Sequence, residues 1–77
     1  MIDALHKAKL AKLLEIEGYD STEALMEAVF SDAVSPAICM NEGCDFTYEM
    51  EPDQDAGYCE DYHTNTMKSA PVLAGLI

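Results

Sequence analysis

Three cysteines and one histidine in the second half of this chain have the residue types and the spacing of a metal site. Cys39 and Cys44 form a C-x4-C pair, and Cys59 and His63 form a C-x3-H pair, separated by residues 45–58. Zinc in structural sites prefers four tetrahedral sulfur or nitrogen ligands, which two pairs on turns at the ends of a hairpin can provide. The sequence therefore predicts one structural zinc ion, bound by Cys39, Cys44, Cys59 and His63.

The same residues have other interpretations, which the spacing disfavours without excluding them. Free cysteine is among the most buried residue types, so the three cysteines could be unrelated small core residues. A redox role is disfavoured because the chain has no C-x-x-C motif. His6 is a spare candidate ligand, although a single histidine on a helix more often belongs to the surface or to the packing.

A first helix is predicted over residues 5–17, which are rich in helix-forming residues and contain neither proline nor glycine. Asp3 is suited to cap its start, and Gly18 is suited to end it. Lys9 projects toward the same side as Leu13, so the first turns either extend past the core or pack against something outside the chain. The apolar face comprises Leu10, Leu13, Leu14 and, beside them, Ile16.

A second helix is predicted over residues 22–30, because residues 20–23 have the pattern of a capping box. Tyr19 is placed to pack against this helix from just before its start. The buried face is expected to comprise Leu25, Val29 and either Met26 or Phe30. The link between the two helices is short, so residues 1–34 are expected to form a helical hairpin.

The character of the chain changes at Pro36, because the residue before a proline is forced into extended geometry. Short extended pieces with polar turns follow. Residues 45–50 alternate strictly and predict a strand with one apolar face, made of Phe46, Tyr48 and Met50. Residues 51–57 form a turn-rich link. The returning strand or strands are expected within residues 58–63 and 64–69.

The tail, residues 71–77, is almost wholly apolar and too short to span a membrane. It is expected to pack on the domain or on a neighbouring molecule. The predicted fold class is therefore small α+β: a helical hairpin over 1–34, then a zinc-ribbon-like β-hairpin region with an apolar tail over 35–77. Both parts are expected to form one compact domain.

The negative charge lies almost entirely outside the first helix. The formal net charge is −11, whereas residues 1–17 are neutral and residues 18–77 carry Lys68 as their one basic residue. Since cations supply most of the affinity for nucleic acids, direct nucleic-acid binding is not expected. The acidic residues either keep a small protein in solution or form a face for a basic partner.

Length and cysteine number bear on stability and location. A chain of 77 residues forms a marginal apolar core, which a bound metal can stabilise. We see no secretory signal and no stretch long enough to cross a membrane. Three cysteines cannot all pair within one chain, so a reducing cytoplasm is expected, where clustered cysteines more often bind metal than form disulfides.

No motif predicts catalysis. Residues 53–57 only partly resemble a calcium loop, because the glycine is displaced and the closing glutamate is absent. The acidic residues Glu49, Glu51, Asp53 and Asp55 do not predict paired carboxylate catalysis, because nothing in the sequence builds the apolar pocket that would separate their pKa values. They are expected to form a solvated face. A domain of this size rarely encloses the roughly 300 Å³ that a ligand pocket needs, so neither enzymatic activity nor a small-molecule substrate is expected.

The second half of the chain resembles a family of small bacterial and phage proteins. Four segments carry the resemblance: Cys-Met-Asn-Glu-Gly-Cys-Asp-Phe-Thr at 39–47, Glu-Pro-Asp-Gln-Asp-Ala-Gly-Tyr-Cys-Glu at 51–60, Thr-Asn-Thr-Met-Lys-Ser at 64–69 and Leu-Ala-Gly-Leu-Ile at 73–77. They cover about half of the chain. The resemblance implies a four-cysteine zinc ribbon after two helices, in a bacterial or phage protein, and it implies no activity.

This chain departs from the family pattern at the fourth ligand. Tyr62 stands where the pattern has a fourth cysteine, and His63 follows it. Three outcomes are open: His63 completes the site, a water or a partner's side chain completes it, or packing has replaced the metal. The first of these is preferred, because the longer histidine side chain can reach the ion if the loop adjusts.

The preferred functional hypothesis is a zinc-stabilised protein-binding module, a phage-encoded accessory or assembly subunit in the cytoplasm of a bacterial host. Its expected contact elements are the apolar tail over 72–77 and the basic first helix, with Lys7, Lys9 and Lys12. The alternative is an acidic inhibitor or nucleic-acid mimic that occupies a basic groove of a host protein. Nucleic-acid binding by the ribbon itself is a third class, which the charge disfavours.

Overall fold

The computed structural model describes residues 4–76, so Asp3, the predicted cap of the first helix, and the last residue of the apolar tail lie outside the described residues. The elements in chain order are α1 Ala4–Glu17, α2 Thr22–Asp32, β1 Ser35–Cys39, β2 Thr47–Met50, β3 Gly57–Cys59, β4 Thr64–Ser69 and α3 Ala70–Leu73. Two helices thus precede an antiparallel sheet, which confirms the small α+β class.

Helix α1 ends where the sequence predicts. Gly18 adopts a left-handed conformation with φ of 79°, and its N–H donates to the Leu14 carbonyl at 2.9 Å. Leu10 and Leu13 are buried as expected, whereas Ile16 is 42% exposed. Ile16 lies about 120° around the helix from Leu10, which places it at the margin of the apolar face.

Helix α2 begins at Thr22, as the sequence predicts. Its cap is Ser21, whose Oγ accepts a hydrogen bond from the Ala24 N–H at 3.1 Å. Met26 is buried and Phe30 is 64% exposed, which decides between the two candidates for the apolar face. The helix extends to Asp32, beyond the predicted end.

The four strands form one sheet in the order β2-β1-β4-β3, and every neighbouring pair is antiparallel. Strand β4 coincides with the predicted returning strand over 64–69, and β2 covers the last four residues of the strand predicted over 45–50. For β1, one of the two central strands, the sequence predicts only extended chain. Because β1 and β3 both run antiparallel to β4, they point in the same direction.

The sheet separates two clusters of buried side chains. On one face, Ile38 packs with Leu13, Leu25 and Leu73 from the three helices. On the other face, Ala37 contributes to a second cluster, which comprises Ala37, Cys39, Cys44, Cys59 and Met67. Side chains alternate along a strand, so neighbouring residues of β1 enter different clusters.

The apolar tail packs on the domain, which was one of the two expected arrangements. Its first residues form α3, in which Pro71 and Leu73 are buried, while Leu76 is 60% exposed. None of the helices within residues 4–76 is long and apolar enough to cross a bilayer.

Candidate metal centre

Three of the four predicted metal ligands meet at one end of the sheet. Cys39 is the last residue of β1 and Cys59 the last residue of β3, and the two strands point in the same direction. Cys44 joins them from the loop over 40–46, which connects β1 to β2. The three sulfur atoms all lie within 4.8 Å of one another.

The spacing of two of the sulfur atoms fits a tetrahedral metal ion. The Sγ atoms of Cys44 and Cys59 are 3.7 Å apart. Zinc–sulfur bonds of about 2.3 Å at tetrahedral angles place two sulfurs about 3.8 Å apart, whereas a disulfide requires about 2.05 Å. All three cysteines are free thiols and all three are buried. The donor set therefore suits a thiophilic metal and is not arranged as a disulfide.

The loop that carries Cys44 is a tight turn supported by the backbone. The N–H of Cys44 donates to the Asn41 carbonyl at 3.1 Å, and the N–H of Cys39 donates to the Phe46 carbonyl at 3.0 Å. Gly43 has a φ of 81°, a conformation that other residues rarely adopt. The glycine beside Cys44 therefore allows the tight turn.

The loop after Cys59 closes in the same manner, with His63 at its end. The His63 N–H donates to the Cys59 carbonyl at 2.8 Å, and His63 itself has a left-handed φ of 56°. Tyr62 is 49% exposed and approaches the other loop: a Cβ atom added to Gly43 would lie 4.0 Å from the Tyr62 hydroxyl. The two loops therefore lie side by side.

The imidazole of His63 is not part of the sulfur cluster. It is exposed, and its Nδ1 lies 2.9 Å from the Tyr58 hydroxyl, at hydrogen-bond distance. The cluster of potential ligands within residues 4–76 contains the three cysteines and neither His63 nor His6. The structure brings three predicted ligands together, and the role of His63 stays a prediction.

Cys39 is surrounded by hydrogen-bond donors. Its Sγ accepts from the Asn41 backbone N–H at 3.5 Å and from the Asn41 Nδ2 at 3.3 Å, and it lies 3.3 Å from the Thr66 hydroxyl. Burial raises the pKa of the Cys39 thiol, but the hydrogen bonds from Thr66 and Asn41 outweigh burial and lower that pKa to about 7. These contacts favour the thiolate, which is the form that binds a metal.

Cys44 has the opposite environment. Burial and, to a smaller extent, the neighbouring sulfurs of Cys39 and Cys59 together raise the pKa of its thiol to about 11, against a hydrogen bond from the Phe46 backbone that lowers it. Without a cation, adjacent thiolates repel one another. A bound metal ion removes this conflict, because its positive charge favours all the thiolates at once.

Lys9 supports the site, although sequence reasoning did not assign it this role. It is 6% exposed, and its ammonium group donates to the carbonyls of Asn41, at 2.8 Å, and Cys44. It also forms an ion pair with Asp45 at 3.8 Å. The expectation that Lys9 lies on a contact surface with Lys7 and Lys12 is therefore wrong for Lys9. The sequence did contain a signal for its burial, because Lys9 lies on the same side of the helix as Leu13.

The acidic residues predicted to form a solvated face do so. Four of them lie on β2 and the turn that follows it, and all four are exposed: Glu49, Glu51, Asp53 and Asp55. Lys68, the one basic residue after α1, donates to the Asp55 carbonyl at 3.0 Å. This side of the molecule therefore presents negative charge to the solvent.

No protein-family model matches this sequence, and neither a curated protein nor a solved structure matches it significantly. The resemblance to small bacterial and phage proteins therefore stays a prediction from the motifs themselves, as does a phage origin. What the fold and the site define is a small α+β protein with three buried, clustered cysteines that can bind a metal ion.

Proposed function

We propose that this chain is a zinc-stabilised protein-binding module in which Cys39, Cys44 and Cys59 hold one structural zinc ion. The observation that carries the proposal is the convergence of the three buried thiols within 4.8 Å. Zinc is the preferred ion because the sulfur spacing fits tetrahedral geometry and thiolates select soft or borderline metals.

The arrangement of the loops supports a zinc-ribbon form for the site. Cys39 and Cys59 end strands that point in the same direction, and a tight loop follows each of them. Ligands on two such neighbouring loops can hold one ion between them, which is how a ribbon attaches its two hairpins to each other.

His63 is the proposed fourth ligand. The hydrogen bond to Tyr58 occupies Nδ1, which leaves Nε2 as the ligand atom, and the imidazole must shift toward the sulfurs to reach the ion. A hydrogen bond from the second ring nitrogen is a common support for histidine ligands of metals. If the imidazole does not shift, a water or a partner's side chain takes the fourth position.

Metal analysis of the purified protein tests the site. We expect about one zinc per chain in the wild type and loss of zinc in Cys44→Ser, because that variant removes one buried thiolate. Ser31→Ala, at an exposed position of α2, is the matched control and should keep its zinc. A wild type that contains no zinc, and takes up none when it is added, would contradict the proposal.

A second variant tests the fourth ligand alone. We expect His63→Asn to bind zinc at least tenfold more weakly in competition with a chromophoric chelator, because it removes the imidazole. Asparagine tolerates the left-handed φ of 56° at this position, so the loop is preserved. Equal affinity in wild type and variant would exclude His63 as a ligand.

The binding role is supported by apolar side chains that the fold leaves at the surface. Phe30 is 64% exposed on α2, Tyr48 is 60% exposed on the edge strand β2, and Leu76 is 60% exposed after α3. Affinity purification from a bacterial host should recover a specific protein that Phe30→Ser no longer retains. A protein that stays monomeric and recovers no partner contradicts this role.

The acidic face favours a second candidate function, inhibition of a protein with a basic groove. Charge attraction of this kind weakens as salt screens it. Binding to a nucleic-acid-binding protein should therefore decrease with ionic strength and be lost when Glu49, Glu51, Asp53 and Asp55 are replaced by lysine. Binding that is indifferent to salt removes this candidate.

A further inference from the structure

Lys9 differs from the other lysines of α1 in what surrounds it. Lys7 is exposed, and the side chain of Lys12 is 41% exposed, whereas Lys9 is 6% exposed. A buried ammonium group is costly unless hydrogen bonds and opposite charge compensate it. Both compensations come from the loop over 40–46: two backbone carbonyls and the carboxylate of Asp45.

The two carbonyl groups that Lys9 binds belong to residues that act directly on the sulfur cluster. One is the carbonyl of Cys44, a proposed ligand. The other is the carbonyl of Asn41, whose backbone and side-chain N–H groups donate to the Cys39 sulfur. A single ammonium group therefore fixes one ligand residue and the hydrogen-bond donor of a second.

Lys9 also pairs with Asp45, the residue after Cys44, to which Lys12 pairs as well at 4.0 Å. Two lysines of α1 therefore attach the loop over 40–46 to the helix.

We propose that Lys9 is a positioning residue of the metal centre: it holds the 40–46 loop from helix α1 in the conformation that binds the ion. This inference rests on the proposed function, because it requires that the three thiols bind zinc. It assigns to α1 a direct role in metal affinity through a side chain that makes no bond to the metal.

Replacement of Lys9 by methionine tests the proposal, because methionine keeps the length of the side chain and removes the three donors. Lys7→Met, at an exposed position on the same helix, is the matched control. We expect Lys9→Met to bind zinc about 10- to 100-fold more weakly in chelator competition, and Lys7→Met to bind as the wild type does.

Cobalt substitution separates positioning from a general loss of stability. If Lys9 orients the loop, Lys9→Met loaded with Co²⁺ should show shifted and weakened ligand-field bands, because the thiolate geometry has changed. A role confined to fold stability leaves the cobalt spectrum and the zinc affinity of the folded protein unchanged. The proposal is overturned if Lys9→Met keeps both the cobalt spectrum and the zinc affinity of the wild type. It is also overturned if Lys7→Met loses as much zinc affinity as Lys9→Met does.

Two further comparisons keep the test decisive. If Lys9→Met does not fold, Lys9→Gln replaces it, since its amide retains donors for one carbonyl; intermediate zinc affinity supports the proposal and wild-type affinity contradicts it. Failure of the wild type to bind zinc or cobalt contradicts the proposed function itself. Wild-type affinity in a folded Lys9 variant contradicts only the role of Lys9.

Discussion

At the residue scale, the three thiols of the candidate site have unequal surroundings. Cys39 accepts hydrogen bonds that lower its pKa to about 7, and burial raises the pKa of Cys44 to about 11. At neutral pH the metal-free site thus holds a partly formed thiolate at Cys39 and a protonated thiol at Cys44. A metal ion must displace the remaining protons when it binds.

This inequality predicts how zinc affinity depends on pH. Above pH 7 Cys39 is already deprotonated, whereas Cys44 still loses a proton when it binds the ion, and this proton contributes about a tenfold rise in affinity for each pH unit. Below pH 7 a proton must leave Cys39 as well, so each pH unit changes the zinc affinity by about a further factor of ten. Chelator competition between pH 6 and pH 9 measures this change of slope.

Two outcomes of that titration bear on the pKa assignments. An affinity independent of pH contradicts the protonated state of Cys44. Thr66→Val removes one hydrogen bond to the Cys39 sulfur and should move the change of slope to higher pH. A change of slope at the same pH in this variant contradicts the part assigned to Thr66.

At the element scale, a contact from a distant strand takes the place of a local cap at helix α3. Helix α3 begins directly after β4, and Ser69, the residue at its N-terminal cap position, makes no side-chain cap. Instead the Ala70 N–H donates to the Oγ of Ser35 on β1 at 3.1 Å. Ser35 is fully buried, and its hydroxyl donates to the Pro36 carbonyl at 2.8 Å.

We expect Ser35→Ala to destabilise the zinc-loaded protein by about 1–3 kcal/mol, because it leaves the buried Ala70 N–H without an acceptor. Urea unfolding followed by circular dichroism measures the change. Ser31→Ala on the exposed side of α2 is the control and should stay within about 0.5 kcal/mol of the wild type. If the two variants are equally stable, Ser35 does not cap α3.

At the scale of the whole molecule, the two faces of the sheet are stabilised by different means. The helices cover one face with an apolar cluster that includes Leu13, Leu25 and Leu73. The other face has a smaller cluster, most of whose residues are the three cysteines, and Phe46 and Met50 pack against it. A domain of this size has little surplus core, so the second face is expected to depend on the metal.

Removal of the metal should therefore destabilise the two faces unequally. A loss of only about 2 kcal/mol lowers the melting temperature of a domain of this size by roughly 8–16 °C, and we expect at least that shift after chelation. Hydrogen exchange should show that β2 and β3 lose protection before α1 does. Cys44→Ser, which should carry no zinc, is the control and should not respond to the chelator.

Equal loss of protection in β2, β3 and α1 would contradict the separation of the two faces. It would indicate that the metal stabilises the fold as one cooperative unit. An unchanged melting temperature after chelation of a zinc-loaded sample contradicts the structural role of the ion altogether.

The sequence by itself determined those features that depend on neighbouring residues. Helical periodicity places Leu10 and Leu13 on one buried face, and Gly18 ends α1 because it adopts a left-handed φ without a steric penalty. The paired spacing of the cysteines predicted that they belong together. The alternation after residue 45 predicted β2, although of the three residues of its expected apolar face only Phe46 and Met50 pack on the second cluster and Tyr48 is exposed.

Only the tertiary structure decided how distant residues meet. The shared direction of β1 and β3 brings Cys39 and Cys59 to one end of the sheet. The two strands share this direction because both pair antiparallel with β4, one on each side of it. Lys9 contacts Cys44 across 35 residues of sequence. The local sequence pattern does not predict contacts between distant residues, because their free energy arises only when packing removes both partners from water.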